Sequence, residues 1–163
     1  MKYLFMYKYL FCLLFCCTGF VSVFAQTKSQ TAIAPFKIRL VNGEGYTYNQ
    51  LIKDKAAILI YFSPTCDHCI DFTKAMLKRK KELKDKQIVM ISYEQLKEIK
   101  KFDDLYKLSS QPNIKIGSEG YTFVVQKYYG IQRFPFVAEY NKGGKLVKVI
   151  SSQLKPEEMA AQL

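Results

Sequence analysis

The sequence predicts an α/β protein with a mixed central sheet flanked by helices on both faces. Residues 56–62 and 87–93 contain continuous apolar runs, which are typical of strands buried on both sides. Apolar residues recur at helical spacing over residues 67–83, and two strands linked by a helix form a parallel pair. Residues 136–140 and 146–150 flank an Asn-Lys-Gly-Gly turn and predict a hairpin, which adds antiparallel strands. Together these observations favour a mixed sheet with helices on its faces.

The other predicted elements follow from shorter patterns. Phe36, Ile38 and Leu40 alternate with basic residues, as in a half-buried strand. Pro112, with the glycines that follow it, predicts an irregular segment over residues 111–120. The remaining predicted elements are strands at 36–40 and 46–48, helices at 96–106 and 121–129, and a final helix that begins at Pro156.

Residues 1–25 have the pattern of a secretory signal peptide. Lys2 and Lys8 precede an apolar stretch, and Val23-Phe24-Ala25 supplies the small residues that signal peptidase requires. The stretch is short for a transmembrane helix, which needs roughly 20 apolar residues. An uncleaved N-terminal anchor is the alternative. We therefore expect an exported, periplasmic or extracytoplasmic protein, with a linker at 26–35 and one domain at 36–163.

The net charge of the chain is strongly positive, at +11 over 163 residues. Without residues 1–25 the chain has 23 basic and 14 acidic residues, a net charge of +9. An exported protein seldom meets nucleic acid, so we expect no nucleic-acid partner, and membrane contact only through the signal or anchor. The basic run Lys78–Lys81 is followed by Glu82 and Asp85 and is interpreted as a solvated helix face. The charge favours acidic protein partners.

Only two of the five cysteines lie outside the predicted signal peptide, and they form a Cys-x-x-Cys pair. Cys66 is predicted at the N-terminus of a helix, where unpaired N–H groups and the helix dipole stabilise a thiolate. A thiolate is the attacking species in disulfide exchange. Cys69 follows about one helical turn later, close enough to attack a mixed disulfide on Cys66. The pair is therefore predicted to be catalytic and to form a redox-active Cys66–Cys69 disulfide.

Other chemistries fit the same residues less well. A structural disulfide normally joins distant segments, whereas this one would close a very small loop. Zinc needs four ligands, and the mature chain offers only Cys66, His68 and Cys69 as Cys or His. Haem attachment requires a histidine at position 70, which is Ile70. A peroxidatic cysteine usually has a threonine three residues earlier, where Ser63 stands. We expect no metal and no cofactor.

Two charged residues between the cysteines act in opposite directions. His68, the single histidine of the chain, favours the thiolate and makes the disulfide easier to reduce. Asp67 disfavours the thiolate but suits the start of a helix. The alternative for His68 is an exposed helix residue without a redox role.

The chain resembles the thioredoxin-like family, in particular exported bacterial proteins of the TlpA/ResA type, over about residues 36–163. The resemblance rests on Ile58–Cys69, Tyr129–Phe136 and Asn141–Lys145, which are similar to the active-site strand and turn, the cis-proline segment and the turn after it. It implies that Pro135 is cis and faces the sulfurs, and that the backbone of Phe134 pairs with the substrate chain. It also implies protein thiols or disulfides as substrates and a further, unidentified redox partner.

The chain departs from the family pattern at three places. Thr65 replaces the usual tryptophan before the first cysteine, and Ile60 replaces a buried acid that serves proton transfer. His68 matches the histidine of strongly oxidising DsbA-type proteins. The sequence therefore predicts a protein dithiol/disulfide oxidoreductase, with reduction as the leading direction. The alternatives are a disulfide-forming oxidase, a peroxidase-like enzyme, and a non-catalytic thioredoxin-fold binding module with a stable disulfide.

Overall fold

The computed structural model describes residues 31–163. The predicted signal peptide at 1–25 and the first half of the predicted linker lie outside the described residues. Residues 31–35 lie against the domain: the carbonyl of Thr31 accepts a hydrogen bond from the backbone N–H of Leu146 at 2.7 Å, and Ala34 is fully buried. No helix within 31–163 has the length and apolar character needed to cross a membrane.

The described part of the chain forms seven strands and four α-helices, with two short 3-10 turns at Tyr48–Gln50 and Gly120–Thr122. The strands are β1 (Lys37–Leu40), β2 (Gly45–Thr47), β3 (Ala57–Tyr61), β4 (Gln87–Ser92), β5 (Ile114–Ser118), β6 (Phe136–Tyr140) and β7 (Leu146–Ile150). The helices are α1 (Asp67–Lys78), α2 (Leu96–Tyr106), α3 (Val124–Tyr129) and α4 (Pro156–Ala161).

All seven strands belong to one sheet in the order β2-β1-β5-β4-β3-β6-β7. The three central strands β3, β4 and β5 run parallel, and every other pairing is antiparallel. The carboxyl ends of the parallel strands therefore meet at one edge of the sheet. The register between β3 and β6 pairs Tyr61 with Phe136, which places the start of β6 at that same edge.

The sheet separates two hydrophobic clusters, because successive residues of a strand point to opposite faces. Ile58, Ile60 and Met90 face α1, α2 and α4. Leu59, Tyr61 and their neighbours face α3 and the segment that contains Ala34. The predicted α/β class, with a mixed sheet and helices on both faces, is confirmed.

Residues 111–120 were predicted to be irregular, and this prediction is wrong. Ile114–Ser118 forms β5, which lies in the interior of the sheet between β1 and β4. Ile114 and Ile116 are buried and Lys115 is exposed, which is the alternation of a strand. Pro112 precedes the strand, so its missing N–H removes no hydrogen bond from the sheet.

Two helices differ from their predicted bounds. The first was expected to reach about residue 83 but ends at Lys78, and residues 79–83 continue as hydrogen-bonded turns. Arg79 is the C-cap residue with φ of −99° and ψ of 15°, and its backbone N–H donates to the carbonyl of Met76, three residues earlier instead of four. The predicted helix at 121–129 is interrupted at Phe123, which adopts the left-handed conformation with φ of 51°.

Candidate active site

Cys66 lies at the N-terminus of α1, just beyond the carboxyl end of β3. The backbone N–H of Cys66 donates to the carbonyl of Ser63 at 3.2 Å, which closes the turn between strand and helix. Cys66 is the N-cap residue of α1, and its Sγ accepts a hydrogen bond from the backbone N–H of Cys69 at 3.3 Å. This sulfur therefore takes the place of the side-chain oxygen that usually caps a helix, and the donated N–H stabilises negative charge on Sγ.

The two cysteines have different environments, and both are free thiols. Cys66 is half-buried, whereas Cys69 is fully buried and packs in the cluster that contains Ile60 and Phe72. Burial raises the pKa of the Cys69 thiol well above its ordinary value, and the hydrogen bond with Cys66 adds to this. The site thus combines one half-buried cysteine with one fully buried cysteine whose thiol resists ionisation.

The Phe134–Pro135 segment lies beside Cys66. The peptide bond between these residues is cis, as the family resemblance implied. The carbonyl oxygen of Phe134 is 4.0 Å from Cys66 Sγ. Pro135 is buried directly before β6, and the antiparallel pairing of β6 with β3 carries the segment to the edge where Cys66 lies. Residues 68 positions apart in the chain therefore form one site.

His68 and Asp67 occupy the first turn of α1. Asp67 is exposed and carries its carboxylate at the positive end of the helix dipole. His68 is half-buried, and its Nε2 atom is buried without a hydrogen-bond partner in the described part of the chain.

Ile60 is fully buried on the α1 side of the sheet, at the position where the family often carries an acid. A buried acid that sequence reasoning missed, Glu119, lies on the opposite side. It accepts hydrogen bonds from the Tyr61 hydroxyl at 2.6 Å and from the Val125 backbone N–H at 2.9 Å. Burial, and then the bond to Glu119, raise the pKa of Tyr61. The Tyr61 ring contacts the Phe134 ring at 5.8 Å between centroids, so this pair supports the cis-proline segment from behind.

The sequence carried little signal for Glu119. It stands between Ser118 and Gly120, in a stretch that composition marks as a turn. The only hint is Tyr61, because a tyrosine inside a fully buried strand needs a hydrogen-bond partner for its hydroxyl. No group of three or more His, Cys, Asp or Glu residues within 31–163 is arranged to hold a metal ion.

The chain was compared with known proteins. No family model matches it, and no curated protein matches it. Solved structures do match. A secreted disulfide oxidoreductase of Mycobacterium tuberculosis homologous to E. coli DsbE aligns with a TM-score of 0.60 and 17% identity, over 79% of this chain and 96% of the other. Peroxidoxin BcpB from the same organism aligns with a TM-score of 0.68 and 17% identity, over 80% and 90%.

A third match is the thioredoxin domain of a thiol-disulfide oxidoreductase from Bacteroides vulgatus, with a TM-score of 0.63 and 20% identity, over 81% of this chain and 94% of that one. At such identities the likeness concerns the fold. The chain has a thioredoxin-like fold, and the fold places a Cys-x-x-Cys pair next to a cis-proline.

Proposed function

We propose that this chain is an exported thiol-disulfide oxidoreductase that works through Cys66 and Cys69 and reduces protein disulfides. The observation that carries the proposal is the difference between the two sulfurs. Cys66 is half-buried and accepts an N–H at a helix N-terminus, while Cys69 is fully buried and the pKa of its thiol is raised by that burial. Such a pair has an attacking thiol and a resolving thiol with distinct properties.

In the reducing direction, the Cys66 thiolate attacks one sulfur of a substrate disulfide. A bond forms between Cys66 and that sulfur, the substrate S–S bond breaks, and the other sulfur leaves as a thiolate and takes up a proton. The Cys69 thiol then gives up its proton and attacks Cys66 Sγ. The Cys66–Cys69 disulfide forms, the second substrate thiol leaves, and two electrons have passed to the substrate. A separate redox partner returns the chain to its dithiol form.

The neighbouring residues have supporting roles in this proposal. The backbone of Phe134, whose carbonyl is 4.0 Å from Cys66 Sγ, pairs with the substrate chain, and the buried Pro135 holds this backbone at the sulfur. The His68 imidazole stabilises the Cys66 thiolate, and Asp67 opposes it. Ile60 has no carboxylate that could take up a proton, so the Cys69 proton passes to solvent or to His68.

We further propose that the chain is of the TlpA/ResA type, with residues 1–25 as its export signal or membrane anchor. The basic n-region and the Val23-Phe24-Ala25 motif support export. The secreted mycobacterial oxidoreductase with the same fold is consistent with this location. The disulfide-forming oxidase is the second candidate, and the specific observation that favours it is His68 between the two cysteines.

The reduction potential of the Cys66–Cys69 pair, measured against glutathione, tests the proposed direction. A value near −270 mV is expected for a reductase, and a value of about −120 mV would identify an oxidase instead. A disulfide that dithiothreitol does not reduce would favour the non-catalytic binding module.

The roles of the two cysteines are tested by trapping. The Cys69→Ser variant lacks the resolving thiol, so it is expected to accumulate mixed disulfides with its substrates on Cys66. The Cys66→Ser variant is the matched control, since it also lacks one thiol but retains only the buried thiol of Cys69. Equal trapping by the two variants would contradict the assignment of Cys66 as the nucleophile.

A further inference from the structure

Four aromatic side chains form a connected surface that begins beside Cys66, and we call them the aromatic surface: Tyr93, Tyr121, Phe123 and Phe134. Ring centroids are 6.1 Å apart between Phe134 and Tyr93, 5.6 Å between Tyr93 and Phe123, and 6.1 Å between Phe123 and Tyr121. Tyr121 is 70% exposed, and the other three rings are half-buried. Contiguous exposed apolar area of this kind is typical of an interaction site.

One residue of the aromatic surface has an unfavourable backbone conformation. Phe123 has φ of 51°, a left-handed conformation that bulky residues rarely adopt. The conformation interrupts the helix predicted for residues 121–129 and presents the Phe123 ring to Tyr93. Strained residues of this kind are concentrated at binding sites, where the surrounding structure enforces them.

Two residues of the aromatic surface, Tyr93 and Tyr121, line a groove of about 820 Å³. Lys37 and Arg39 of β1 line the same groove. Tyr93 directly follows β4 and Tyr121 lies three residues beyond β5, so the groove opens at the same sheet edge as Cys66, which follows β3. Crevices at the carboxyl ends of parallel strands are common ligand sites in α/β folds.

Four exposed basic residues accompany the aromatic surface, and we call them the basic rim: Lys37, Arg39, Lys127 and Arg133. Lys37 and Arg39 line the groove, the Lys127 ammonium lies 5.9 Å from the centre of the Phe123 ring, and Arg133 precedes Phe134 in the chain. None of these four cations forms an ion pair within residues 31–163. Two carboxylates line the groove, those of Glu94 and Glu119, and the Glu119 carboxylate is buried and accepts hydrogen bonds from Tyr61 and Val125. The four cations outnumber these carboxylates, and this excess of positive charge is complementary to a partner with carboxylates.

The distance from Cys66 to the groove fits a short stretch of polypeptide. Neighbouring strands are about 4.8 Å apart, so β5 lies about 10 Å from β3 across the sheet. An extended chain advances about 3.3 Å per residue, so about three residues span this distance. If an extended substrate chain runs from Cys66 along this sheet edge, a residue three or four positions from its reactive cysteine lies at Tyr93 and Tyr121.

We propose that the aromatic surface and its basic rim dock an acidic polypeptide segment of the protein substrate. The segment carries an aromatic or large aliphatic residue three or four positions from its reactive cysteine, with carboxylates beyond it. This inference rests on the proposed function, since it assigns the substrate class of the same site.

The test uses synthetic peptides that contain one cysteine in disulfide linkage to glutathione. They carry Phe or Ala three residues from the cysteine, on either side, and Glu or Lys beyond it. Glutathione disulfide serves as a small substrate that cannot reach the groove. The reduced wild-type protein is expected to show a kcat/KM about tenfold higher for the Phe/Glu peptide than for the Ala/Lys peptide.

The first variant is Tyr121→Ala, and Leu105→Ala is its matched control. Both residues are 70% exposed, but Leu105 lies near the end of α2 and does not line the groove. We expect Tyr121→Ala to lower kcat/KM for the Phe/Glu peptide about tenfold and to leave glutathione disulfide unchanged, while Leu105→Ala changes neither. Urea unfolding of both variants verifies that they are folded.

The second variant reverses the charge of the rim. Lys37→Glu with Lys127→Glu is expected to shift the preference from Glu to Lys peptides. The control pair, Lys142→Glu with Lys145→Glu, makes the same change of net charge in the β6–β7 turn, at the opposite edge of the sheet. A similar shift in the control would mean that overall charge decides the preference and would overturn the proposal.

Docking is measured separately from thiol chemistry through the Kd of a Phe/Glu peptide with serine in place of cysteine. If the peptide binds and Tyr121→Ala weakens this binding, the docking proposal is supported. If the protein then fails to reduce glutathione disulfide, the proposed function fails while the docking surface stands. Equal Kd values for Phe/Glu and Ala/Lys peptides overturn it. Binding to vesicles of phosphatidylserine and phosphatidylcholine that depends on Tyr121, without peptide preference, also overturns it and identifies a membrane surface.

Discussion

Glu119 is the residue that most directly joins the candidate active site to the rest of the molecule. Its two carboxylate oxygens accept hydrogen bonds from Tyr61, at the end of the strand that leads to Cys66, and from Val125, in the first turn of α3. Glu119 is only 5% exposed. A buried carboxylate is costly unless it is hydrogen-bonded, so both donors are required.

We expect Glu119→Leu to reduce the free energy of unfolding by about 2–6 kcal/mol, because it leaves two buried donors unpaired at about 1–3 kcal/mol each. Glu119→Gln is expected to cost about 1 kcal/mol, since an amide can accept from Val125 and donate to the Tyr61 oxygen. Urea unfolding measures both values. Equal losses for the two variants would show that the hydrogen bonds are not the source of the effect.

Strand β5 brings the β1–β2 hairpin against the centre of the sheet, and Gly117 makes this approach possible. A Cβ atom at Gly117 would overlap with the carbonyl of Arg39 on the paired strand. A Cβ atom added at Gly45, in β2, would have no other atom within 4 Å. The close backbone contact is therefore present at Gly117, in the β1–β5 pair, and absent at Gly45, in the β1–β2 pair.

Gly117→Ala is expected to destabilise the protein by about 1–3 kcal/mol, because the β1 backbone must move to relieve the overlap. Gly45→Ala is the matched control and is expected to stay within about 0.5 kcal/mol of the parent. Urea unfolding midpoints compare the two. A loss in Gly45→Ala as large as that in Gly117→Ala would contradict the explanation by local overlap.

The same glycine explains why β5 escaped prediction. Ile114 and Ile116 have the correct alternation, but Pro112, Gly117 and Gly120 surround them and are typical of irregular chain. A glycine that serves close backbone contact cannot be distinguished from a turn glycine without knowledge of the partner strand. The strands β6 and β7 had no such competing signal, and their bounds were predicted correctly.

The whole molecule contains several buried groups that resist ionisation. Burial raises the pKa of Tyr129 to about 12 and raises the pKa of Tyr61 and Tyr140 as well; the Tyr129 and Tyr140 hydroxyls hydrogen-bond each other. Cys69 behaves in the same way in the reduced protein. In the unfolded chain these groups have ordinary values of about 10 for tyrosine and about 8.5 for cysteine.

The protein is therefore expected to lose stability at alkaline pH, because the unfolded state releases protons first. The reduced form should decline from about pH 8.5 and the oxidised form, which has no Cys69 thiol, only from about pH 10. Each group contributes up to about 1.36 kcal/mol per pH unit above its unfolded pKa. Urea midpoints of both forms between pH 7 and 11 measure this. Identical profiles would contradict burial of the Cys69 thiol as the cause.

At the scale of the molecule, the order of strands and helices was sufficient to predict the fold class, and the Cys-x-x-Cys pair at a strand-helix junction was sufficient to predict the candidate site. Phe134 and Pro135 entered through the family resemblance. Glu119 did not, because its role depends on which distant groups, Tyr61 and Val125, the folded chain brings to it. Contacts of this type are properties of the tertiary structure alone.

Within residues 31–163, Cys66 is the only sulfur of the pair that is not fully buried, and this imposes an order on turnover. Substrate and electron donor must approach the same atom, so they cannot be bound there together. The proposed reaction is then a double displacement, in which the protein alternates between two covalent states and each reactant meets only one of them. An excess of either reactant therefore occupies the covalent state that reacts with the other. The rate of turnover then depends on the concentration ratio of substrate to electron donor.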